Sequence, residues 1–451
     1  MAARTTDDTN PGRKQWLSSR EGTGRLRLLL AAVAALLAVG LATGCSAPGG
    51  SLRVVWEAPV DDNARDYGNG AWLVGDTLVR SRYDAVTAFD AGSGERRWEY
   101  APPGHGHVCA VGRRAAGSVV LLTRGNRGPG GQGCATVAAL DLTTGRELWH
   151  VRRAPADLTE SLTDVVAVGG GLAVLRDGDD RWILETIRPA VPGSEALRAF
   201  DLRTGAPRWK AAVPAGCVPE RVSAGERQVL AVLTCGRTEL RLAAFNRADG
   251  KARWSAPLGG RPTPGTDAEV TLLSTDPVVV QVGGTAQGGP PGAYLAFGED
   301  GTALGRIESA GAHGTIQSHR PGLVAVADGR LYAAAEAKRG KEYVNRVVAF
   351  DLAKGTEVWR HDLTSGRALL ALEAAGGRVT ALARSLGRRH DGTEELLVLD
   401  AATGDEQDSR DTGSDIDHKT GELAGLLTYE DRVIAVRWGW GVRPFSAYEP
   451  G

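Results

Sequence analysis

The chain carries five cysteines, and four of them lie in its body, where thiols could bind a metal, exchange electrons or form disulfides. Metal and redox sites use closely spaced pairs such as Cys-x-x-Cys, because both sulfurs must reach one ion or each other. None of the four has a partner at that spacing; they are Cys109, Cys134, Cys217 and Cys235. An even number of cysteines predicts structural disulfides if the chain is exported from the cytoplasm, which its N-terminus bears on below.

The positions of Cys217 and Cys235 predict how one disulfide forms. Their midpoint is residue 226, within a turn-like stretch at 224–227 between two strand-like runs. A hairpin about this turn places the two sulfurs opposite each other, at the spacing of cross-strand neighbours. Cys109 and Cys134 have no such symmetry, since their midpoint lies in the apolar run 119–122. If these two pair, they must bridge the ends of two non-adjacent strands, and their pairing stays open.

Histidine and acidic residues offer weaker candidate sites. His105 and His107 stand close to Cys109, but no third ligand follows at a known spacing, so we interpret them as part of a loop. The acidic stretches 177–180 and 415–417 lack EF-hand spacing and are interpreted as solvated loop acids. The sequence motifs of serine hydrolases and zinc peptidases do not occur. We therefore predict no catalytic, cofactor-binding or metal-binding residue.

The N-terminus predicts export and a lipid anchor. Residues 28–43 are an unbroken run of apolar and small side chains after a basic stretch ending at Arg27, as in a signal-peptide core, and are too short for a comfortable membrane span. The run leads into Leu-Ala-Thr-Gly-Cys at 41–45, which resembles the lipobox of bacterial lipoproteins. The resemblance implies cleavage before Cys45 and acylation of its sulfur; the alternative is an uncleaved signal anchor. We predict a signal peptide at 1–44, a flexible tether at 45–51, and an extracytoplasmic protein that is lipid-anchored to the cell membrane.

Charge argues against a nucleic-acid partner. The formal net charge is -1, and residues 1–44 contribute six basic and three acidic side chains, so the remaining chain is near -4. Nucleic-acid-binding surfaces are basic. Arg greatly outnumbers Lys, and Ala and Gly are abundant, a composition typical of a high-GC bacterium such as an actinomycete.

An internal repeat is the strongest signal in the chain. In each copy an Asp or Asn follows two apolar residues, a Gly comes four residues later, and a Trp four residues after that. Full copies span 88–98, 139–149, 199–209, 244–254 and 349–359, and two degenerate copies without the Trp lie at 296–301 and 398–404. Consecutive copies lie 45 to 60 residues apart. This is the length of one four-stranded propeller blade with its loops.

Each residue of the repeat has a physical role. The Asp or Asn side chain caps a hairpin turn, and the Gly supplies the positive φ that the turn requires. The chain then returns as an outer strand, where the Trp can cover the contact to an adjacent sheet. We predict blade-docking roles for these five tryptophans and for the one in the first strand of the mature chain: Trp56, Trp98, Trp149, Trp209, Trp254 and Trp359.

The repeats predict an all-β fold. We expect an eight-bladed β-propeller of four-stranded antiparallel blades over residues 52–451, with seven blades as the alternative. Residues 447–451 match the start of the repeat motif but contain no Trp, whereas residues 52–56 end in a Trp that no copy of the motif precedes. Pairing of these two segments completes the eighth blade and leaves no exposed edge. We therefore expect a monomeric ring closed by its N- and C-terminal strands.

The repeat motif A-x-D-x-x-T-G-x-x-x-W, which is most complete at 139–149, resembles the tryptophan-docking repeat of PQQ-like (quinoprotein-type) propellers. The resemblance implies the fold but not one function, because this scaffold carries unrelated activities. One branch of the family is non-enzymatic and includes a lipoprotein of the outer-membrane β-barrel assembly machinery. In the other, dehydrogenases hold pyrroloquinoline quinone with a disulfide between adjacent cysteines, beside a Ca²⁺ bound by Glu, Asn and Asp. No two cysteines are adjacent in this chain.

The prediction for function is a membrane-anchored propeller that binds or scaffolds a protein or peptide of the bacterial cell envelope, with no cofactor and no enzymatic activity. The first alternative is an oxidoreductase that depends on the quinone and Ca²⁺. The second is an envelope domain that senses a small ligand. The sequence leaves open the partner and the face of the ring that it uses.

Overall fold

The computed structural model describes residues 51–60, 68–126, 133–153, 164–177, 196–236, 239–260, 270–283, 292–318, 322–385, 393–412, 423–439 and 441–450. Within these residues the regular secondary structure is β-strand, apart from one 3₁₀ turn at Pro103–His105. The predicted all-β class is confirmed.

The strands form eight antiparallel sheets, or blades, which follow one another along the chain. The first strand, β1 (Leu52–Glu57), belongs to the last blade. Blade 1 consists of β2 (Gly68–Val74), β3 (Thr77–Arg82), β4 (Val86–Asp90) and β5 (Arg96–Tyr100). Blade 2 consists of β6 (His107–Val111), β7 (Val119–Asn126), β8 (Gly133–Asp141) and β9 (Arg146–Arg152). Blade 3 consists of β10 (Val166–Gly169), β11 (Leu172–Asp177), β12 (Ala196–Asp201) and β13 (Pro207–Ala212).

The next three blades include the most elaborate sheet. Blade 4 consists of β14 (Cys217–Ala224), β15 (Gln228–Cys235), β16 (Glu239–Asn246) and β17 (Ala252–Gly260). Blade 5 consists of β18 (Val270–Thr275), β19 (Val278–Val282), β20 (Ala293–Phe297) and β21 (Ala303–Glu308). Blade 6 has two extra short strands and consists of β22 (Ala310–Gly311), β23 (Gly314–Ile316), β24 (Val324–Ala327), β25 (Arg330–Arg339), β26 (Glu342–Asp351) and β27 (Thr356–Asp362).

The last two blades bring the chain back to its first strand. Blade 7 consists of β28 (Arg367–Ala375), β29 (Arg378–Ser385), β30 (Glu394–Asp400) and β31 (Glu406–Asp411). Blade 8 consists of β32 (Leu423–Tyr429), β33 (Arg432–Arg437), β34 (Phe445–Pro450) and β1. The prediction of eight blades is therefore confirmed over the alternative of seven.

Strands from both ends of the sequence close the ring. β1 pairs antiparallel with β34, and Trp56 lies opposite Ala447. The full copies of the repeat have the same register, for example Ala139 opposite Trp149. The two termini therefore rebuild in blade 8 the hairpin that the other blades form from continuous chain, as the sequence predicts.

The hydrophobic core lies between blades rather than in one central mass. Eight clusters of buried apolar side chains occur among the described residues, and each joins two neighbouring blades. The second strand of a blade contributes to both of its neighbours: in β15 the side chains of Val229 and Leu230 go to opposite clusters. This follows from the alternation of side chains along a strand, which turns successive residues to opposite faces of the sheet.

In six blades (1 to 4, 6 and 7) the repeated Asp or Asn caps the turn before the outer strand. Asp141 Oδ1 accepts the backbone N–H of Thr143 at 2.9 Å and of Thr144 at 3.2 Å. Asp201 caps its turn in the same way, and the side chains of Arg208 and Thr204 beside it lower the pKa of its carboxyl to about 2. The turns thus have a fixed shape and present a glycine to the neighbouring blade.

Candidate functional site

The six predicted tryptophans lie at the contacts between neighbouring blades, here called seams. Each indole lies on the turn glycine of the next blade: Trp56 on Gly94, Trp98 on Gly145, Trp149 on Gly205, Trp209 on Gly250, Trp254 on Gly301 and Trp359 on Gly404. The approach is close, because a Cβ atom placed on Gly205 would lie 2.6 Å from Trp149 Cγ. Gly205 also has φ +71, which favours glycine for a second reason. That these contacts hold the blades together stays a prediction.

Four of the indoles also bond across their seam. In each case the indole N–H donates to the carbonyl of the residue that follows the capping position of the next turn. The pairs are Trp149 to Leu202 (2.9 Å), Trp209 to Arg247 (2.8 Å), Trp254 to Glu299 (2.7 Å) and Trp359 to Ala401 (3.1 Å). The tryptophan therefore combines a large apolar surface with a hydrogen bond that fixes its position.

The seam between blades 5 and 6 has no tryptophan, and Gly305 occupies its place in the repeat. The Gly305 N–H donates to Leu352 O at 2.9 Å. Leu352 directly follows the capping position of its turn, as do the residues whose carbonyls accept the indole hydrogen bonds. A Cβ atom on Gly305 would lie 2.3 Å from Gly355 N, so the two main chains touch. A backbone donor thus replaces the indole donor at this seam.

The seam between blades 7 and 8 differs again. Asp408 stands where the repeat has Trp, and the outer strands of blade 8 come from opposite ends of the sequence. A buried polar cluster of Glu394, Arg437 and Tyr448 lies at this seam. Arg437 Nη2 donates to Tyr448 Oη at 2.9 Å and to Glu394 Oε2 at 3.2 Å, and the Tyr448 hydroxyl donates to Glu394 Oε2 at 2.7 Å.

The charges in this cluster compensate one another. The Arg437 and Glu394 side chains are each 1% exposed. Burial opposes the charge on Arg437, but the Tyr448 oxygen and the Glu394 carboxylate outweigh this effect and raise its pKa. Burial also raises the pKa of Tyr448, and the Glu394 carboxylate adds to that rise, so the hydroxyl keeps its proton. Removing one partner would leave an unpaired charge in the interior.

Ser446 extends the cluster to the N-terminal strand. Arg437 Nη1 donates to Ser446 Oγ at 3.0 Å, and the Ser446 hydroxyl donates to Glu57 Oε1 on β1 at 3.2 Å. Hydrogen bonds therefore run from blade 7 through blade 8 to β1. Sequence reasoning missed this cluster, and the absence of Trp from the copy at 398–404 was the one sign that this seam is built differently.

The four cysteines form two disulfides, each within a single blade: the predicted Cys217–Cys235 pair and the Cys109–Cys134 pair that the sequence left open. Cys217 and Cys235 lie directly opposite each other on β14 and β15, with their Cα atoms 3.9 Å apart. Cys109 on β6 is joined to Cys134 on β8, with 6.0 Å between the Cα atoms, and both are fully buried. β7 lies between β6 and β8, so this disulfide joins non-adjacent strands.

The histidine and acidic candidates are used elsewhere in the fold. His107 stacks on Tyr83 with 4.1 Å between ring centroids, beside a Cys109 that is already bonded to Cys134. Asp177 pairs with Arg198 at 2.5 Å, while residues 178–180 and 415–417 lie outside the described residues. In the part of the chain that the structure describes, no three His, Cys, Asp or Glu side chains form a group that could hold a metal ion.

The leader and Cys45 also lie outside the described residues, so the predicted signal peptide, tether and lipid anchor stay predictions. Across the described ranges, we find no helix with the length and apolar character needed to cross a membrane.

Pyrroloquinoline quinone and Ca²⁺ are the groups that the dehydrogenase branch implies, and the described disulfides do not match the one expected at the quinone. They join cysteines 25 and 18 residues apart in the sequence, so neither is formed by adjacent residues. The described residues therefore lack the adjacent-cysteine disulfide of that branch.

Comparisons with known proteins agree with this fold. A PQQ-like family model described as outer membrane protein assembly factor BamB matches residues 46–216, 179–289 and 292–437. A solved structure of BamB from Moraxella catarrhalis is 17% identical with TM-score 0.50, covering 88% of this chain and 99% of that chain. The search of curated proteins returned no match.

Two similar solved structures are enzymes. The quinohemoprotein alcohol dehydrogenase from Comamonas testosteroni is 14% identical with TM-score 0.51, covering 88% of this chain and 76% of that chain. A europium-containing methanol dehydrogenase is 14% identical with TM-score 0.52, covering 87% and 86%. At these identities the similarity shows the fold alone. The predicted resemblance to PQQ-like propellers is confirmed.

The tryptophan contact can be tested at Gly205, with Gly75 as the matched control. Both have positive φ, but a Cβ on Gly75 would meet nothing within 4 Å. We expect Gly75→Ala to lower the free energy of unfolding by about 1 kcal/mol, and Gly205→Ala by about 2–4 kcal/mol because it also displaces Trp149. Urea denaturation measures both values. Equal losses would contradict a stabilising role for the seam contact.

The buried cluster can be tested with Glu394→Gln. This variant leaves the Arg437 charge without its carboxylate, and we expect a loss of about 3–5 kcal/mol in the free energy of unfolding. Glu308→Gln is the control, because Glu308 forms an exposed ion pair with Arg306 that is worth at most about 1 kcal/mol. Combining Glu394→Gln with Arg437→Met should recover part of the loss. A loss no larger than that of Glu308→Gln would contradict the proposed role of the cluster.

Proposed function

This chain belongs to the PQQ-like propeller family whose model is described as outer membrane protein assembly factor BamB, and we propose that its ring is a protein-binding scaffold of the bacterial cell envelope. The family match across residues 46–437 carries the proposal. An assembly factor acts on other proteins, so a protein or peptide is the partner that this membership favours. The outer-membrane part of that description is not carried over, because the composition is typical of a high-GC bacterium such as an actinomycete.

The roles of the repeated residues support a scaffold. The Asp residues cap turns, the tryptophans lie on turn glycines, and the four described cysteines form disulfides. The polar cluster around Glu394 lies in the interior at a seam. These side chains are thus engaged in the architecture of the ring. Binding then falls to the loops and hairpins that differ from blade to blade.

The proposal places the ring outside the cytoplasm on a lipid anchor at Cys45. The apolar run at 28–43 and the lipobox-like sequence at 41–45 support this location. The short segment that follows, rich in Gly, Ser and Pro, would act as a flexible tether between the membrane and the first strand. A tethered ring can meet envelope proteins while it remains at the membrane surface.

The alternative is a quinone-dependent oxidoreductase, which the fold of the two similar dehydrogenases favours. A third possibility is an envelope domain that senses a small ligand. Both would require a small-molecule site, whereas a scaffold would use an exposed surface. The alternatives therefore predict that a small molecule binds the purified protein, whereas the scaffold proposal predicts that a protein or peptide does.

The anchor is tested with Cys45→Ser. Acylation requires the sulfur, so the variant should lose incorporation of radiolabelled palmitate and should retain its leader, as measured by mass spectrometry of the intact protein. Ser46→Ala is the control, since it keeps the sulfur at position 45 and should remain labelled and processed. Labelling of Cys45→Ser at the same level as the wild type would refute the anchor.

The alternative function is tested by calorimetric titration of the protein with pyrroloquinoline quinone in the presence of Ca²⁺. We expect no saturable binding, because the described residues lack an adjacent-cysteine disulfide. Binding with Kd of about 1 μM or tighter would overturn the scaffold proposal in favour of an oxidoreductase.

A further inference from the structure

The hairpin of β25 and β26 sets blade 6 apart from the other blades. Each of its strands has ten residues, the greatest length among the described strands. The two strands pair along their whole length, from Arg330 opposite Asp351 to Arg339 opposite Glu342. The six residues 338–343 at the end of the hairpin are all exposed. We call residues 337–343 the hairpin tip.

The inner edge of β25 is only partly covered. β24 pairs with its first four residues, from Arg330 to Ala333, and β23 pairs with Ala335 and Glu336. Ala334 turns its N–H and C=O to this side, so by alternation along the strand Lys338 does the same, whereas residues 337 and 339 face β26. Gly314 lies against Ala337, and among the described strands none pairs with Lys338 on that side. The backbone N–H and C=O groups of an unpaired edge are the groups to which another strand can bond.

The tip is basic and carries an exposed aromatic ring. Lys338, Arg339 and Lys341 outweigh the single acid Glu342. Arg339 pairs with Asp362, whereas the lysines have no ion pair within the part of the chain that the structure describes. Tyr343 lies opposite Lys338 and is 60% exposed, the highest value among the exposed large apolar side chains.

We propose that the hairpin tip binds an acidic, extended segment of a partner protein, which runs alongside β25 and bonds to the backbone N–H and C=O of Lys338 at its open edge. The inference rests on the proposed scaffold function and names the surface and the chemistry of its partner. Carboxylates of the segment would face Lys338 and Lys341, and an apolar side chain would cover the Tyr343 ring. A membrane surface could attract the lysines and the ring, but it has no backbone to pair with the edge amides. The open edge therefore favours a peptide over a lipid surface.

The test measures binding of a synthetic peptide of alternating Glu and Val to the full chain by fluorescence anisotropy. The same peptide with Gln in place of Glu and vesicles of phosphatidylcholine with phosphatidylglycerol are the comparison ligands. We expect the Glu peptide to bind, the Gln peptide and the vesicles to bind at least about tenfold more weakly, and affinity to fall as salt is added. Hydrogen exchange should slow at the amide of Lys338 when the Glu peptide is bound.

Variants locate the binding surface. The pair Lys338→Glu and Lys341→Glu should weaken binding of the Glu peptide by about tenfold or more, since two favourable charge contacts become repulsive. Tyr343→Ser should weaken it by a smaller factor. Lys210→Glu is the matched control, because Lys210 is also exposed but lies on the outer strand β13, and it should leave the affinity unchanged. Circular dichroism verifies that each variant is folded.

Three results would overturn the inference: equal binding of the Gln peptide, unchanged affinity of the Lys338 and Lys341 double variant, or binding of vesicles without binding of the Glu peptide. Photo-crosslinking in cells distinguishes a failure of the hairpin-tip inference from a failure of the scaffold proposal. A partner crosslinked from position 54 on β1 but not from position 343 would overturn the hairpin assignment alone. The absence of protein crosslinks from probes placed at exposed positions on every blade would overturn the scaffold proposal as well.

Discussion

Every blade of this protein is apolar on both faces, and no blade can bury both faces without a neighbour on each side. The eight buried clusters lie at the seams between blades, so each blade is stable only as a member of the ring. An open arc would leave two apolar faces in water. Closure through β1 and β34 is therefore a requirement of the fold, and the register of Trp56 opposite Ala447 meets it with the geometry of the other blades.

The seams meet this requirement with three kinds of contact. Where the repeat is complete, an indole lies on a turn glycine and, in four cases, bonds to the neighbouring carbonyl. Where Gly305 replaces the indole, the two backbones approach and a backbone N–H bonds to Leu352. At the seam between blades 7 and 8, the buried charges of Arg437 and Glu394 take this place. A buried ion pair requires specific partners, so it can favour one register of the closing strands over others.

The difference between residues that repeat in most blades and segments that vary bears on function. Residues that repeat from blade to blade serve the seams and turns, and a ring built in this way can change its loops without losing its core. Among the described strands, those of the blade 6 hairpin depart from the repeat in their length, and the hairpin carries the exposed Tyr343. Binding specificity is expected in such departures, because a partner cannot distinguish one blade from another by what they share.

The sequence by itself left the blade count at eight or seven, but it determined the turn chemistry, the positions of the tryptophans and the closing of the ring by its two ends. These follow from contacts within one hairpin, where Asp141, Gly145 and Trp149 stand at fixed offsets that backbone geometry imposes. The cluster of Glu394, Arg437 and Tyr448 was not predictable, because its members lie on three strands of two blades and share no local spacing. The bridge between Cys109 and Cys134 likewise required the knowledge that β7 lies between their strands. Only the tertiary structure decided these contacts, since the distance between two side chains across a seam depends on how whole sheets pack and not on their separation along the chain.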